Sequence, residues 1–324
     1  MNQSNLFREL TVEELENVIT YHFGKVPFTY HLLKGGMFNT TYQITFSDKE
    51  NYVLRIGPVN RHLLLPFEEH LMEAERSVYR LCAEQEIPVP KIVACVTDKK
   101  LIGRDYMITG YIDSLCLTST ELSGEERKEI YFQTGRMTAR IHSIVGKQFG
   151  RVFDVLEGRG FDSWEKYLSS EFSKITVSLR PHKIFEQHVL ERAEKIPIHY
   201  KELLNTVKKP HLVHGDLWDG NVLVTPDHKR VAAIIDADRA LFGDMAYEFA
   251  GGWMSDDSFF SGYGDIDLSS SAYTLKQKIY ILLYRLIDTY VYFVEYNNLE
   301  AGREAKAIVL KLLSDLSDLH SNGI

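Results

Sequence analysis

The sequence of 324 residues predicts an α+β fold and is long enough for two lobes. The N-terminal lobe (1–112) is predicted to be an antiparallel sheet with a helix, because short β-rich segments separated by turns recur there. The C-terminal lobe (113–324) is predicted to be mostly helical, because apolar residues recur there at helical spacing. The exception in that lobe is a hairpin of two apolar runs, 222–224 and 231–235, which a turn containing Pro and Asp separates.

Composition and charge restrict the classes of partner. The chain is 44% hydrophobic and 25% charged, as is typical of a soluble globular protein, and its net charge is −8. This charge disfavours nucleic acid, since phosphate binding needs clustered Lys and Arg, and it accommodates a neutral or cationic small molecule more easily. The three cysteines form no C-x-x-C pair and are odd in number, which indicates neither zinc nor disulfides and favours a cytoplasmic location.

Membrane insertion and secretion are also disfavoured by the sequence. The N-terminus lacks a basic segment followed by an apolar one, so we expect no signal peptide. The longest apolar stretch, 279–294, is interrupted by Arg285 and Asp288, so we expect a buried helix there and no membrane partner.

Local patterns place the elements in order. A capping box at residues 11–14 predicts a first helix, and two strands are predicted on either side of a turn at 47–50. The other predicted elements of the N-terminal lobe are a helix at 68–85 and strands at 91–96 and 106–112. In the C-terminal lobe, helices are predicted after the segment 122–126, around 164–175 and 185–195, at 273–296 and near the C-terminus.

Two charged residues of the N-terminal lobe lie among apolar neighbours. Arg55 interrupts an apolar strand, where it either faces water at a sheet edge or binds a ligand. Glu75 lies in the middle of the apolar face of helix 68–85, and a buried carboxylate is costly unless it is paired. We expect Arg55 to be its partner. A solvent-facing Glu75 is the alternative, and Glu73 is the second choice for the pair.

The polar segment around the hairpin holds the chemistry. Asp216 and Asn221 precede the hairpin, and Asp236 follows it. Because a hairpin returns the chain to its starting end, these three side chains should converge. Their carboxylate and amide oxygens are ligands of the kind that suit Mg²⁺, which shares its remaining positions with water and substrate phosphates.

This segment also resembles a known family. The pattern H-G-D-x-x-x-x-N followed by I-D-x-D is similar to the catalytic signature of the aminoglycoside phosphotransferase and choline kinase-like enzymes. The resemblance implies a bilobal protein kinase-like fold and transfer of the γ-phosphate of ATP, or GTP, to a hydroxyl group. It implies that Asp216 is the catalytic residue and that Asn221 and Asp236 hold Mg²⁺.

The resemblance also implies where the nucleotide binds. Arg55 would replace the lysine that pairs with the phosphates in kinases, and its fork could bridge two phosphate oxygens. A glycine turn before a strand lets backbone N–H groups approach phosphate, although an ordinary turn would look the same. The expected nucleotide residues are Gly35, Gly36, Arg55, Glu75, Gly110 and Ile112.

The acceptor site is expected in the C-terminal lobe. Segment 255–271 is rich in carboxylates and aromatic residues, so it is either a solvated loop or a site for a cationic amino sugar or amino alcohol. Asp238 lies two residues from a metal ligand, and Asp288 lies on the helix predicted at 273–296. The expected substrate residues are Asp238, Asp256, Asp257 and Asp288.

Several functions remain open at this point. An aminoglycoside-like acceptor is the first choice, and a metabolic kinase of choline, a ketosamine or a similar compound is the second, because the form H-G-D-L-W-x-G-N is similar to that of fructosamine kinases. A protein kinase is disfavoured, since no A-P-E segment follows Asp236. A nucleotide-binding pseudokinase is a further alternative, and the sequence leaves the oligomeric state open. The segment 241–250 resembles one that anchors the catalytic loop in this family, with Asp244 as the expected anchor.

Overall fold

The elements are described from a computed structural model that covers residues 4–33, 36–252 and 256–321. The strands are β1 (Phe28–Leu33), β2 (Thr40–Phe46), β3 (Asn51–Ile56), β4 (Ile92–Val96), β5 (Tyr106–Gly110), β6 (Leu115–Cys116), β7 (Gly150–Arg151), β8 (His211–Val213), β9 (Val222–Val224), β10 (Val231–Ile234) and β11 (Leu241–Gly243). The α-helices are α1 (Val12–Phe23), α2 (Leu71–Glu84), α3 (Gly124–Ser143), α4 (Val152–Leu156), α5 (Trp164–Leu179), α6 (Gln187–His199), α7 (Lys201–Leu204), α8 (Asp257–Tyr263), α9 (Ser271–Tyr290) and α10 (Leu299–Ser321).

The N-terminal lobe is a five-stranded antiparallel sheet in the order β1-β2-β3-β5-β4. Side chains of β2 alternate between buried and half-buried, and its buried Tyr42, Ile44 and Phe46 pack with the apolar face of α1. The predicted capping box of α1 is present, since Glu14 N donates to Thr11 Oγ1 at 3.1 Å and Thr11 N donates to Glu14 Oε2 at 2.8 Å. Burial of these apolar faces holds the helix on the sheet.

Two details of this lobe differ from the sequence prediction. Strand β1 was not predicted. The helix predicted at 68–85 is divided into a 3₁₀ segment, Pro66–His70, and α2, because a proline near the start favours a tight first turn. The chain leaves the sheet after β5 and next pairs through β6 with β9 in the other lobe. We propose that the boundary between the lobes lies in this interval, where the sequence places it after residue 112.

The C-terminal lobe is built around α9, whose apolar residues lie in the largest core together with those of α5, α6 and α10. The helix predicted at 273–296 corresponds to α9 and a π-helical segment, Val291–Glu295. Among the described residues, no helix is long and apolar enough to cross a membrane.

Helix α8 corrects the prediction of a loop at 255–271, of which residue 255 lies outside the described residues. Ser, Gly and Asp in this stretch are typical of loops, but Gly262 allows two helices to pack closely. A Cβ atom on Gly262 would lie 2.0 Å from Phe132 O of α3, and one on Gly135 of α3 would lie 2.0 Å from Phe259 O. The two helices therefore approach each other at small residues, which requires tertiary information to recognise.

The predicted hairpin is confirmed. Strands β9 and β10 are antiparallel, with Val222 opposite Ile234 and a bulge between Val231 and Ala233. Beyond the strands, Ile235 N donates to Asn221 O at 2.9 Å, which brings the residues that follow β10 back to the start of β9.

Candidate active site

A cleft of about 770 Å³ lies between the sheet and the helical lobe. Most of the residues that the sequence predicted for the site line this cleft. They are Gly36, Arg55, Glu75, Gly110, Ile112, Asp216, Asp236, Asp238 and Asp288. Asn221 is buried next to Asp216, and Gly35 lies outside the described residues.

The loop after β8 holds Asp216 at the floor of the cleft. Asn221 Nδ2 donates to the backbone O of Asp216 at 2.7 Å and to its Oδ2 at 3.1 Å. His214 accepts at Nδ1 from Asp216 N at 3.3 Å and donates from Nε2 to Ile235 O at 3.0 Å. These bonds require the neutral tautomer, and burial lowers the pKa of His214 accordingly. The loop and the end of the hairpin are thus one bonded unit.

Glu248 anchors the loop that follows β8 through hydrogen bonds to its backbone. Its carboxylate accepts from His214 N at 2.7 Å and Gly215 N at 3.0 Å, and it lies 3.2 Å from His142 Nε2. Burial alone would raise the pKa of Glu248, but its bonds to His142 and the backbone outweigh burial and hold the pKa below its usual value. Asp244, the expected anchor, instead accepts from two side chains of α9.

Asp216 titrates near neutrality. Burial raises the pKa of its carboxyl to about 7, and the nearby Asp236 carboxylate adds to this rise. The charge of Arg239 and the hydrogen bond from Asn221 offset part of the effect. A carboxyl whose pKa lies near the working pH is suited to accept a proton from a hydroxyl.

The predicted pair of Arg55 and Glu75 is present, and the structure extends it to the catalytic end of the cleft. Arg55 Nη1 lies 2.5 Å from the carboxylate of Glu75, which is fully buried, so neither the solvent-facing alternative nor Glu73 is needed. Arg55 Nη2 contacts Asp236 Oδ1 at 2.6 Å and Asp238 Oδ2 at 3.5 Å.

Tyr79 completes this network. Its hydroxyl donates to Glu75 Oε1 at 2.6 Å and accepts from Asp236 N at 3.1 Å. Burial raises the pKa of Tyr79 well above its usual value, so the hydroxyl keeps its proton. Sequence reasoning placed Tyr79 on the apolar face of the helix and missed this role. Its signal was its position one turn after Glu75.

The donor atoms near Asp216 fit a hard cation. Because Asn221 Nδ2 makes both bonds to Asp216, its Oδ1 is the amide atom that could accept a cation. Asp236 adopts a left-handed backbone conformation, φ 64°, and its carboxylate lines the cleft. Carboxylate and amide oxygens of this kind suit Mg²⁺.

An apolar slot adjoins this end of the cleft. Val53 and Met107 of the sheet line it from one lobe, and Leu223 and Ile235 line it from the other. Such a slot between lobes suits a flat ring.

The hinge beside this slot has two predicted contacts, Gly110 and Ile112. The N–H of Gly110 is already used, because it donates to Lys91 O at 2.8 Å. The N–H of Ile112 has no acceptor among the described residues, so it is the one of these two hinge donors that is available to a ligand.

The opposite part of the cleft, here called the acceptor half, is lined by Arg151, Arg239, Tyr247, Tyr284, Arg285 and Asp288. Tyr284 stacks on Tyr247 with ring centroids 4.9 Å apart and donates to Gly215 O at 3.0 Å. Sequence reasoning did not assign the arginines to the site. The signal for Arg239 was its place directly after the Asp236-Ala237-Asp238 motif.

Asp256 and Asp257 do not line the cleft, contrary to the expectation for substrate residues. Asp256 caps α8 by accepting from Ser258 N at 2.7 Å, and Asp257 lies in the first turn of that helix. Helix α8 packs against α3, and no described residue of the acidic segment lines the cleft. We therefore leave both residues out of the proposed site.

Comparisons with known proteins agree with this geometry. The profile of the phosphotransferase enzyme family matches residues 29–273. Acyl-CoA dehydrogenase family member 10 of Mus musculus is 27% identical over 64% of this chain, and the chain spans only 18% of that protein. A probable ketoamine kinase of Vibrio vulnificus is 26% identical over 78% of this chain and 83% of its own length.

Solved structures show the same fold. The ternary complex of a thermostable mutant of aminoglycoside phosphotransferase APH(4)-Ia with AMP-PNP and hygromycin B has a TM-score of 0.68. It is 18% identical and covers 96% of this chain and 100% of that one. The expected kinase-like α+β fold is thus confirmed. Because the family profile matches most of the sequence, the chain belongs to the phosphotransferase enzyme family.

Proposed function

We propose that this phosphotransferase moves the γ-phosphate of ATP, or GTP, to a hydroxyl of a small molecule, with Asp216 accepting the hydroxyl proton. The observation that supports this best is the Asp216 carboxyl itself, which is held by Asn221 at the cleft floor and titrates near neutrality. In the transfer, the hydroxyl oxygen bonds to the γ-phosphorus while the bond to the leaving diphosphate breaks.

The other residues position the nucleotide. Arg55, fixed by Glu75, faces the phosphates, and the apolar slot with the N–H of Ile112 receives the base. Asn221 and Asp236 would hold Mg²⁺, which neutralises phosphate charge when it is bound. Arg55 contacts Asp236 directly, so these two groups share the phosphate-binding end of the cleft.

Two acceptor classes follow from the comparisons. The similarity to a probable ketoamine kinase spans most of both chains and favours a ketosamine. The solved structure with hygromycin B favours an aminoglycoside, but its sequence is only 18% identical to this chain, so the similarity supports the fold and not the substrate. The acidic segment that was expected to attract a cationic acceptor lies outside the cleft. We therefore place the ketosamine ahead of the aminoglycoside.

Substrate-dependent ADP or GDP release, measured with both nucleotides, tests the function. Asp216→Ala should lower kcat by about a hundredfold or more, as is usual for loss of a general base, and should leave nucleotide affinity nearly unchanged. Asp219→Asn is the matched control, since Asp219 lies in the same loop but bonds Tyr131 and does not line the cleft. Wild-type turnover by Asp216→Ala would contradict the assignment. Mg²⁺-dependent nucleotide binding without turnover across a broad hydroxyl library would favour the pseudokinase instead.

A further inference from the structure

The acceptor half of the cleft is lined by more guanidinium groups than carboxylates. Arg151, Arg239 and Arg285 line it. Apart from the carboxylates that contact Arg55 and the catalytic Asp216, Asp288 is the acidic residue among the described residues that line the cleft. The carboxylates that pair with Arg151 and Arg239, Glu171 and Glu68, do not line the cleft, so a ligand in this half would contact guanidinium groups more than carboxylates, which favours an anionic acceptor over a cationic one.

The three arginines differ in how many of their donors are already used. Arg151 uses all three of its side-chain nitrogens, because its Nε and Nη2 donate to Glu171 Oε2 at 3.3 and 3.2 Å and its Nη1 donates to Arg239 O at 2.8 Å. It also stacks on the ring of Phe67, 4.1 Å from the centroid. Arg151 therefore holds the wall of the cleft together, and three of its five N–H groups are already used.

Arg239 and Arg285 keep unused donors. Arg239 Nη2 donates to Glu68 Oε1 at 3.1 Å, and Glu68 is buried behind the cleft wall. Arg285 Nη1 donates to Asp288 Oδ2 at 2.9 Å, and this pair is about 30% exposed. The other side-chain nitrogens of both arginines have no hydrogen-bond acceptor among the described residues. Free guanidinium donors facing a cleft are the usual means of binding carboxylate or phosphate.

The two arginines also lie at different distances from the chemistry. The charge of Arg239 reaches Asp216 strongly enough to lower the pKa of that carboxyl. Burial raises the pKa of Asp288, and the charges of Arg285 and Arg239 offset part of that rise, so Arg239 is within electrostatic reach of both Asp216 and Asp288, whereas Arg285 pairs with Asp288. A ligand with its hydroxyl at Asp216 would thus extend past Arg239 toward Arg285.

We propose that the acceptor is a hydroxyl compound with an anionic group, a carboxylate or a phosphate, which binds the unused donors of Arg285 and Arg239. This inference rests on the proposed function and specifies its substrate. It selects an acid, including a ketosamine that carries a carboxylate, over a polycationic amino sugar. Asp288 holds Arg285 in place and competes with the ligand for its charge.

The test compares acceptors of matched size with the full chain, MgATP and an ADP-release assay. One set contains hydroxyalkanoic acids of three to six carbons, and a second contains glycerol 3-phosphate. The corresponding uncharged diols and glycerol form the third set, and amino alcohols and an aminoglycoside form the fourth. We expect kcat/KM to be at least about tenfold higher for an anionic acceptor than for its uncharged counterpart, since a charged hydrogen bond contributes that much or more. Whether the acids or the phosphate compound respond distinguishes the two anions.

The outcomes separate the two proposals. Equal or faster turnover of uncharged or cationic compounds overturns the anionic acceptor while the proposed function stands. No turnover in any set, or with a ketosamine tested beside them, overturns the proposed function, and the inference that rests on it falls with it.

Variants of the Arg285–Asp288 pair give a second readout on the best acid. Arg285→Met should raise KM by about tenfold or more and change kcat by less than about threefold, because the group binds substrate away from the reacting atoms. Arg285→Lys should fall between Met and wild type, since it keeps the charge but loses the fork. Asp288→Asn removes the competing carboxylate and should lower KM. The proposal would be overturned if Arg285→Met and Asp288→Asn changed KM in the same direction. It would also be overturned if neither substitution changed KM while the melting temperatures of both variants stayed at the wild-type value.

Discussion

Asp216→Asn should make the protein more stable at alkaline pH while it removes the proposed catalytic base. In the folded protein burial raises the pKa of Asp216 to about 7, from an ordinary value of 3.8. The folded state therefore binds more protons than the unfolded state between these values, and its stability falls as pH rises through this window. Below pH 3.8 both states are protonated and the cost is absent; above pH 7 it is complete.

The size of the effect follows from the pKa shift. A difference of about three pKa units corresponds to an upper limit of about 4 kcal/mol at pH 8 and about 2 kcal/mol at pH 5, because each unit is worth 1.36 kcal/mol. The side chain faces the cleft, so solvent screening reduces these values. With an unfolding entropy of about 0.7 kcal/mol per kelvin for a chain of this length, the Asp216→Asn substitution would raise Tm at pH 8 by up to about 6 °C.

Urea unfolding of wild type and Asp216→Asn at pH 8 and pH 5 measures this difference. Glu248→Gln is the matched control with the opposite sign, since hydrogen bonds hold the pKa of that buried carboxyl low and its charge stabilises the fold above its unfolded pKa. It should lose about 3 kcal/mol or more at pH 8. An Asp216→Asn protein that is no more stable than wild type at pH 8, or whose gain grows toward pH 5, would refute the raised pKa.

The other predictions concern activity and the loop. The kcat/KM of the wild type should rise tenfold per pH unit below about pH 7 and level off above it, because Asp216 must be deprotonated; a flat pH–rate profile from pH 5.5 to 8 would contradict this. Glu75→Gln should raise the nucleotide KM by about tenfold through misplacement of Arg55, with the acceptor KM nearly constant, and nucleotide titrations check it. Gly215→Ala should destabilise the fold by about 1–3 kcal/mol in urea unfolding, because φ is +80° and a Cβ would lie 2.8 Å from Arg239 O; unchanged stability would show that the loop relaxes.

The catalytic end of the cleft was predictable because its residues are close in sequence or under strong local constraint. Asp216 and Asn221 lie on one short loop, and the hairpin returns Asp236 to them. The pairing of Arg55 with Glu75 followed from the cost of an unpaired buried carboxylate, which limited the partners of Glu75. The contact of Arg55 with Asp236 was not predicted, because it joins two lobes whose closure no local pattern encodes.

The acceptor half was predicted less well. Asp288 was placed correctly in the cleft, since α9 carries it among apolar residues, but Asp256 and Asp257 were not. A segment with this composition could form either a loop that binds substrate or a helix that packs against another part of the protein. The close approach of α8 to α3 at Gly135 and Gly262 decides between these possibilities, and it depends on contacts more than a hundred residues apart.

By itself, the sequence determined the fold class and the phosphotransferase chemistry and predicted which residues lie at the end of the cleft near Asp216, because periodicity and motif spacing act over a few turns of chain. Only the tertiary structure decided which charged residues line the acceptor half of the cleft. Arg239 and Arg285 come together on one wall although they lie far apart in sequence, and their free donors depend on which neighbours are buried behind them. Charge in a cleft is set by the directions in which side chains and their counter-ions point, and packing across the whole lobe fixes those directions.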